Sequence, residues 1–395
     1  MSNNSKYLIS FIVPVFNTGT NIENIVNSIL KVNNTMGDIL EIIVVDDGSD
    51  DQETLDSLKN ISKLNDVSVI RQKNSGPSAS RNIGISNASG EWIGFCDSDD
   101  IIDSEHLLNT VKTIKMNNYK NSDMLVFGWS IRHNQDNKST YRHINLEKQS
   151  IIGENDIAQK TLKSLSLDGR MYNLWNRLYR KNIIRDNNIK LDENLRFGED
   201  LIFNLNFLLK SSRIDILDVA PYYTYISNSE TSIVKTTKLN TEYRIKNARE
   251  LDKFSKIANQ QDNPYVQLIK ARWLISFMMS SIQYSTKQEG SKKSLNNIKH
   301  IIDNRILAPK FIKKTPEIGI IKYIFLLIAT LILKNALLAF ILANILLFIK
   351  NIKSQKNKEP SNIAPYFYLL IIPIYPHFSQ NHPLFCIQIQ LNFPI

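Results

Sequence analysis

The stretch Trp92-Ile93-Gly94-Phe95-Cys96-Asp97-Ser98-Asp99-Asp100 passes directly from an apolar run into a cluster of carboxylates. A short apolar run bounded by polar residues is typical of a strand that is buried on both faces of a sheet. In sheets of parallel strands, functional loops follow the carboxyl ends of the strands. The stretch therefore predicts a central strand whose end carries an acidic, chemically active loop.

Similar apolar runs recur on both sides of this stretch and alternate with amphipathic segments. The runs predict strands at Ile9–Val15, Leu40–Asp46, Val67–Arg71, Trp92–Cys96 and Met124–Phe127. Segments with helical periodicity lie between them, at Asn21–Lys31, Asp51–Leu64, Ser78–Asn87 and Ser104–Asn117. This alternation is typical of an α/β domain with a mostly parallel, Rossmann-like sheet.

The composition is that of a globular protein with one unusual region. Of the 395 residues, 43% are hydrophobic and 22% are charged, and the formal net charge is +10. Eleven Lys/Arg and three Asp/Glu fall between residues 299 and 359, so most of the excess positive charge belongs to this segment. The segment lacks the interleaved aromatic residues of a nucleic-acid-stacking surface. We therefore expect an anionic membrane surface, and no nucleic acid, as its partner.

The same segment contains two apolar runs, Ile320–Leu333 and Ala336–Ile349. Each run is shorter than the roughly twenty residues that a spanning helix needs. A single helix through both would place Lys334 near its middle, at a cost of about 2.5–3.5 kcal/mol. We therefore expect an interfacial helix or a shallow hairpin. Residues 360–395 contain no Asp, Glu, Lys or Arg, and form either a membrane-lying extension or a terminus without function.

The cysteines and the N-terminus favour a cytoplasmic location. Cys96 and Cys386 stand far apart, and neither has a partner at the spacing of a metal site. The apolar run Leu8–Val15 is short and is interrupted by Ser10 and Pro14, unlike an export signal. We expect a protein that is peripheral or monotopic on the inner face of the cell membrane.

The carboxylates of Asp97 and Asp99 suit a hard divalent cation, because such ions prefer oxygen ligands and bridge phosphate groups. Neither His nor a second Cys stands nearby to form a zinc site. The alternative is a solvated turn or a helix cap. We predict that Asp97 and Asp99 bind Mn²⁺ or Mg²⁺.

Four motifs in order extend this hypothesis. They are Ile12-Val13-Pro14-Val15-Phe16-Asn17, Val44-Val45-Asp46-Asp47-Gly48-Ser49-Asp50-Asp51, Asn74-Ser75-Gly76-Pro77-Ser78-Ala79-Ser80-Arg81-Asn82-Ile83-Gly84 and Gly94-Phe95-Cys96-Asp97-Ser98-Asp99-Asp100. Together they closely resemble the family 2 glycosyltransferases of the GT-A fold, such as bacterial capsule, O-antigen and exopolysaccharide enzymes. The resemblance is strong over residues 7–130 and continues more weakly to about residue 234.

The resemblance implies a nucleotide-sugar donor, commonly a UDP-sugar, bound by the N-terminal half. It assigns Pro14 to the floor of the nucleoside site, and it has Asp47 or Asp46 accept a hydrogen bond from the base. It also places Arg81 near the nucleotide and gives Asp97 and Asp99 the metal-binding DXD role. Two structural alternatives stay open: a turn at residues 46–49 that caps the next helix, and a core-facing Arg81.

The second half of the resemblance supplies the acceptor side. Gly198-Glu199-Asp200-Leu201-Ile202-Phe203 matches the acidic pair of the family, in which Asp200 is the general base and Glu199 lies beside the acceptor. The alternative is an acidic helix start that is stabilised by the helix dipole. Trp175 and Asn176, from Trp175-Asn176-Arg177-Leu178-Tyr179, are placed under the acceptor, where the indole either stacks on a sugar ring or packs in the core.

These expectations divide the chain into five parts. Residues 1–130 form the nucleotide-sugar-binding half of a GT-A domain, and residues 131–235 form its acceptor or catalytic half. A helical extension (236–309), the basic apolar membrane-associating segment (310–359) and the apolar, Pro-rich tail (360–395) follow. We expect a saccharide acceptor linked to polyprenyl diphosphate.

Two other classes remain as alternatives. A nucleotidyltransferase would carry a basic, Gly-rich phosphate loop after the first strand, but residues 14–20 contain neither Lys nor Arg. A non-catalytic membrane-associated scaffold with the same fold would have no need of Asp97, Asp99 and Asp200.

Overall fold

The computed structural model describes residues 6–117, 119–135, 138–167, 171–227 and 241–284. The predicted membrane-associating segment and the tail lie outside these residues. The strands are β1 (Ile9–Val15), β2 (Leu40–Asp46), β3 (Val67–Arg71), β4 (Trp92–Phe95), β5 (Ile101–Ile102), β6 (Met124–Val126), β7 (Trp129–Gln135), β8 (Lys138–Ile144), β9 (Gln149–Ile152), β10 (Arg177–Arg180), β11 (Arg213–Ile216) and β12 (Tyr223–Ser227).

The helices alternate with the strands in the first half of the chain and cluster in the second. They are α1 (Asn21–Met36), α2 (Gln52–Ile61), α3 (Pro77–Asn87), α4 (Ser104–Asn117), α5 (Glu154–Leu167), α6 (Lys181–Asp186), α7 (Glu199–Leu208), α8 (Thr241–Ile257) and α9 (Pro264–Tyr284). Each strand and helix predicted in residues 7–130 is present, with ends that shift by a few residues. Among the described helices, none has the length and apolarity needed to cross a bilayer.

The main sheet has the order β3-β2-β1-β4-β10-β6-β11-β9. Its pairings are parallel from β3 through β4 and between β6 and β11, whereas β10 and β9 run antiparallel to their neighbours. The prediction of a mostly parallel sheet is therefore confirmed. Strand β10 comes from the second half of the predicted domain and lies between two strands of the first half, so the two halves share one sheet.

Two hydrophobic clusters cover the two faces of this sheet. In β1, Phe11 and Val13 belong to the cluster that includes α1 and α4, whereas Ile12 belongs to the cluster that includes α5, α7, α8 and α9. This division follows from the two-residue period of a strand. Helix α3 lies close to β1 at Gly84, where a Cβ atom would come within 2.3 Å of Ile12 Cγ2.

A smaller sheet, with the order β5-β12-β7-β8, lies next to the acidic loop that follows β4. Strand β12 pairs antiparallel with the short strand β5 and parallel with β7, and β7 and β8 form a hairpin. The short β5 begins directly after Asp100, so this second sheet holds one end of the acidic loop.

Candidate active site

The loops that follow β1, β2 and β4 meet at one edge of the main sheet. The register pairs Val15 with Asp46, and the N–H of Asp47 donates to the carbonyl of Val15 at 2.8 Å. The N–H of Cys96 donates to the carbonyl of Ile12 at 3.0 Å. Half-buried Pro14 lies in β1 opposite Val45, at the centre of this edge. The predicted donor-side residues are thus neighbours in the fold.

Asp46 is buried within the turn that follows β2. Its Oδ1 accepts a hydrogen bond from the Ser49 N–H at 2.9 Å, and its Oδ2 pairs with Arg71 at 2.9 Å. Gly48 has a φ of +79°, and a Cβ atom there would come within 3.0 Å of the Asn74 nitrogen. The turn of the structural alternative is therefore present, but the side chain that caps α2 is that of Asp51, which accepts a hydrogen bond from the Thr54 N–H at 2.8 Å.

Asp47 organises the loop that leads into α3. Its carboxylate accepts hydrogen bonds from Gln72 Nε2 at 2.6 Å, from the Ser75 N–H at 2.7 Å and from the Gly76 N–H at 2.8 Å. The residue is only 4% exposed. Asp47 thus fixes the start of α3, and its contact with a nucleoside base stays a prediction.

The acidic loop after β4 presents its carboxylates in different directions. Asp99 is exposed, Asp97 is half-buried and Asp100 is buried. Because Asp99 is open to solvent, it is the residue of this loop that a ligand reaches most easily.

Arg81 joins this loop to the predicted catalytic base. Its Nη2 lies 2.6 Å from Asp97 Oδ1, and its Nη1 lies 3.8 Å from Asp200 Oδ1. Arg81 is buried, and its Nε has no hydrogen-bond partner among the described residues. The sequence left a nucleotide-binding and a core-facing role open, and the structure places the guanidinium between two predicted functional carboxylates.

Asp200 lies in the first turn of α7, next to Glu199. Burial, followed by the Glu199 carboxylate, raises the pKa of Asp200 to about 8, although Arg81 acts in the opposite direction. Burial also raises the pKa of Glu199. The Asp200 side chain remains 28% exposed, so it is accessible as well as perturbed. Such a carboxyl is a candidate general base, because its pKa lies near neutral pH.

Gly198 sets the position of this acidic pair. It adopts a left-handed conformation with a φ of +85° immediately before α7. Asn247 of α8 packs against it, and a Cβ atom on Gly198 would come within 1.9 Å of Asn247 Nδ2. The start of the helix that carries Asp200 is thus in contact with α8.

Trp175 and Asn176 are both buried behind the site. Trp175 is 7% exposed, and its ring stacks on Tyr223 and Tyr225 at centroid distances of 4.9 and 5.9 Å. Asn176 Oδ1 accepts hydrogen bonds from the guanidinium of Arg177, at 3.1 and 2.8 Å. For Trp175, the structure favours packing in the core over stacking on a sugar ring, since aromatic side chains already cover it.

Several residues of this site were not predicted from the sequence. Tyr223 and Asn247 stand in segments without a recognisable motif, and only the fold brings them to the site. Asp100 was visible as part of the acidic cluster, but its burial distinguishes it from Asp99. Gln72 carries no sequence signal for its bond to Asp47.

The donor set fits a divalent cation bound together with a phosphate-bearing ligand. Within the part of the chain that the structure describes, no group of three or more His, Cys, Asp or Glu side chains could hold a metal ion. Magnesium is typically held by one or two carboxylates, with substrate phosphates and water completing the octahedron. Asp97 and Asp99 are two such carboxylates, and their role as metal ligands stays a prediction.

The fold and the arrangement of carboxylates at its strand ends define an α/β protein of the GT-A class. Residues 10–187 match the model of glycosyl transferase family 2. This match agrees with the resemblance drawn from the motifs and covers residues 10–187.

Two bacterial proteins are similar to this chain in sequence. The chain is 31% identical to the uncharacterized glycosyltransferase EpsJ of Bacillus subtilis, over 57% of this chain and 63% of EpsJ. It is 27% identical to the poly(ribitol-phosphate) beta-N-acetylglucosaminyltransferase TarP of Staphylococcus aureus, over 57% of this chain and 64% of TarP. The chain thus spans less than two thirds of the length of either relative.

The fold is similar to that of S. aureus TarS residues 1–349 in a crystal structure with UDP-GlcNAc. The TM-score is 0.52 at 22% sequence identity, and the match covers 76% of this chain and 82% of that chain. This similarity confirms the GT-A fold.

Proposed function

We propose that the protein transfers a sugar from a nucleoside diphosphate sugar, a UDP-sugar, to a hydroxyl of a saccharide acceptor in surface polysaccharide biosynthesis. This proposal rests on the position of Arg81. Its guanidinium contacts Asp97 of the acidic loop and lies beside Asp200 of α7. These contacts support one site in which Asp97 serves the donor and Asp200 serves the acceptor. The family 2 domain and the UDP-GlcNAc bound to TarS support a nucleotide-sugar donor.

In this mechanism the chain positions the donor and moves one proton. Asp97 and Asp99 would hold Mn²⁺ or Mg²⁺, and such an ion would supply positive charge beside the leaving diphosphate. Asp200 accepts the proton of the acceptor hydroxyl, whose oxygen attacks the anomeric carbon from the face opposite the diphosphate. Inversion of the anomeric configuration follows from this single displacement.

We further propose that the acceptor is linked to polyprenyl diphosphate and that the enzyme works at the cytoplasmic face of the membrane. The +8 surplus of the segment between residues 299 and 359 supports attraction to an anionic leaflet. A lipid-linked acceptor on that leaflet would present its saccharide to the site.

The test is a panel of nucleotide sugars offered to the purified full-length protein, with Mn²⁺, with Mg²⁺ or with excess chelator. We expect release of UDP from one UDP-sugar, only when a divalent cation is present. Release of inorganic diphosphate would instead indicate a nucleotidyltransferase. If no nucleotide sugar bound or turned over, the proposal would be wrong.

A further inference from the structure

Tyr223, the first residue of β12, makes two contacts with the acidic loop. Its hydroxyl oxygen accepts a hydrogen bond from the N–H of Asp97 at 3.1 Å, and its O–H donates to the carboxylate of Asp100. The side chain is fully buried. One phenol group therefore bonds to both ends of the sequence Asp97-Ser98-Asp99-Asp100.

Asp100 fastens the same loop to the backbone of β12. Its Oδ1 accepts a hydrogen bond from the N–H of Ile226 at 2.7 Å. Just beyond Asp100, β5 pairs with β12, with Ile102 opposite Tyr223 and Ile101 opposite Thr224. The exposed Asp99 thus stands between two residues that are both bonded to Tyr223.

Burial of Asp100 has no explanation in the proposed reaction. A carboxylate that is taken out of water is costly unless it receives hydrogen bonds, and Asp100 receives one from Tyr223 and one from Ile226. Asp100 is buried, whereas the neighbouring Asp99 is exposed. A buried, fully bonded carboxylate beside an exposed one is the arrangement expected when the first orients the second.

The ring of Tyr223 is itself fixed. It stacks on Trp175 with an angle of 6° between the two planes. Trp175 in turn makes an edge contact with Trp129 of β7, at a centroid distance of 5.7 Å. The position of the Tyr223 hydroxyl is therefore set by a packed aromatic cluster and not by the loop that it bonds.

We infer that Tyr223 and Asp100 are positioning residues, which hold Asp97 and Asp99 in the geometry that binds the cation and the donor diphosphate. This inference rests on the proposed metal-dependent transfer. Neither residue touches a reacting atom. Residues that orient metal ligands typically change metal affinity or activity by about 10–100-fold when they are replaced.

The substitution Tyr223→Phe removes the hydroxyl and keeps the ring that stacks on Trp175. The matched control is Tyr222→Phe, at the preceding buried tyrosine, whose ring packs against Phe11 and Phe127. Two quantities are measured on each full-length variant: the Mn²⁺ concentration that half-saturates transfer, and the affinity for UDP by calorimetry at limiting and at saturating Mn²⁺.

For Tyr223→Phe we expect half-saturation to require about 10- to 100-fold more Mn²⁺. UDP affinity should fall at limiting Mn²⁺ and recover at saturating Mn²⁺, whereas Tyr222→Phe should behave as the unmodified protein. Asp100→Asn is the second variant, because its amide oxygen can still accept from Ile226, and it should show the same shift if Tyr223→Phe does not fold.

The outcomes separate this inference from the proposed function. If the unmodified protein showed no dependence on a divalent cation, the proposed function would fail. If it did depend on Mn²⁺ and neither Tyr223→Phe nor Asp100→Asn changed the half-saturating concentration, the positioning role would be overturned. Equal loss of UDP affinity at all Mn²⁺ concentrations would also overturn it, since this would indicate direct contact with the nucleotide.

Discussion

At the scale of single residues, the site is defined by how differently its carboxylates are surrounded. Asp46 and Asp47 are buried and bonded to their own loops, whereas Asp99 is exposed and Asp200 is partly exposed with a raised pKa. Carboxylates that are bonded to the backbone maintain local structure, and those that face solvent with a perturbed pKa are candidates for chemistry. This contrast determines which substitutions should abolish activity and which should affect stability.

Replacing Asp200 with Asn should remove transfer and spare donor binding. A general base contributes about 10²–10⁴-fold to a rate, and Asn has no ionisable group to replace it. We expect turnover to fall by that factor while UDP affinity, measured by calorimetry, remains near that of the unmodified protein. Loss of UDP binding would instead assign Asp200 to the donor site.

Replacing Asp99 with Ala should abolish cation-dependent activity without unfolding the protein. Asp99 is exposed, and substitutions at the surface usually change stability by less than about 0.5 kcal/mol. Activity assays and thermal denaturation of the same preparation would test both parts. Retention of full activity by this variant, or by the unmodified protein in excess chelator, would contradict the role of Asp99.

The dependence of activity on pH should change with the charge beside Asp200. Its pKa is raised to about 8, so activity that needs the ionised form should rise as the pH increases through that region. Glu199→Gln removes a negative neighbour that raises this pKa, so the rise should move to lower pH.

The control for this experiment is Glu105→Gln, which makes the same charge change at an exposed position on α4. It should leave the profile of kcat against pH unchanged. If Glu199→Gln had the same profile of kcat against pH as the unmodified protein, the group that titrates in the reaction would not be Asp200.

At the scale of elements, the N-terminal half was predictable because its signals are local. Apolar runs such as Leu40–Asp46 are buried strands, and the amphipathic segments between them are helices. The insertion of β10 between β4 and β6 was not predictable, since strand order depends on contacts between distant segments. For the same reason, the contact of Arg81 with Asp200 and that of Tyr223 with Asp97 were not predictable.

The start of α7 offers a test of how an element positions its catalytic residue. Gly198→Ala would force a residue with a Cβ atom into a left-handed backbone conformation, which costs about 1–2 kcal/mol. The new Cβ atom would also clash with Asn247. We expect lower stability in chemical denaturation, and lower activity because Asp200 follows two residues later. Adding Asn247→Ala should relieve the clash and restore part of the stability. If Gly198→Ala had the stability and activity of the unmodified protein, this account of the helix start would be wrong.

At the scale of the whole molecule, the residues predicted for chemistry and those predicted for membrane attachment lie in different parts of the chain. All predicted donor and base residues lie in residues 14–200, within the described part of the chain. The +8 surplus and the two apolar runs lie after residue 298, outside the described residues. The residues predicted for chemistry and the residues predicted for membrane attachment are therefore separable by a single cut.

Removal of the residues after Pro309 tests whether they attach the protein to a membrane. A chain that ends at Pro309 should no longer sediment with anionic vesicles, because each basic side chain near such a surface contributes about 1 kcal/mol and the apolar runs add burial. The full-length protein should bind these vesicles strongly and lose part of its binding at high salt, which screens the charge but not the apolar contact. The shortened chain should still bind UDP-sugar, since Asp47, Asp97, Asp99 and Asp200 remain, yet it should act poorly on an acceptor embedded in vesicles. Vesicles of neutral lipid are the control, and equal binding of both proteins to anionic vesicles would exclude this role for the segment.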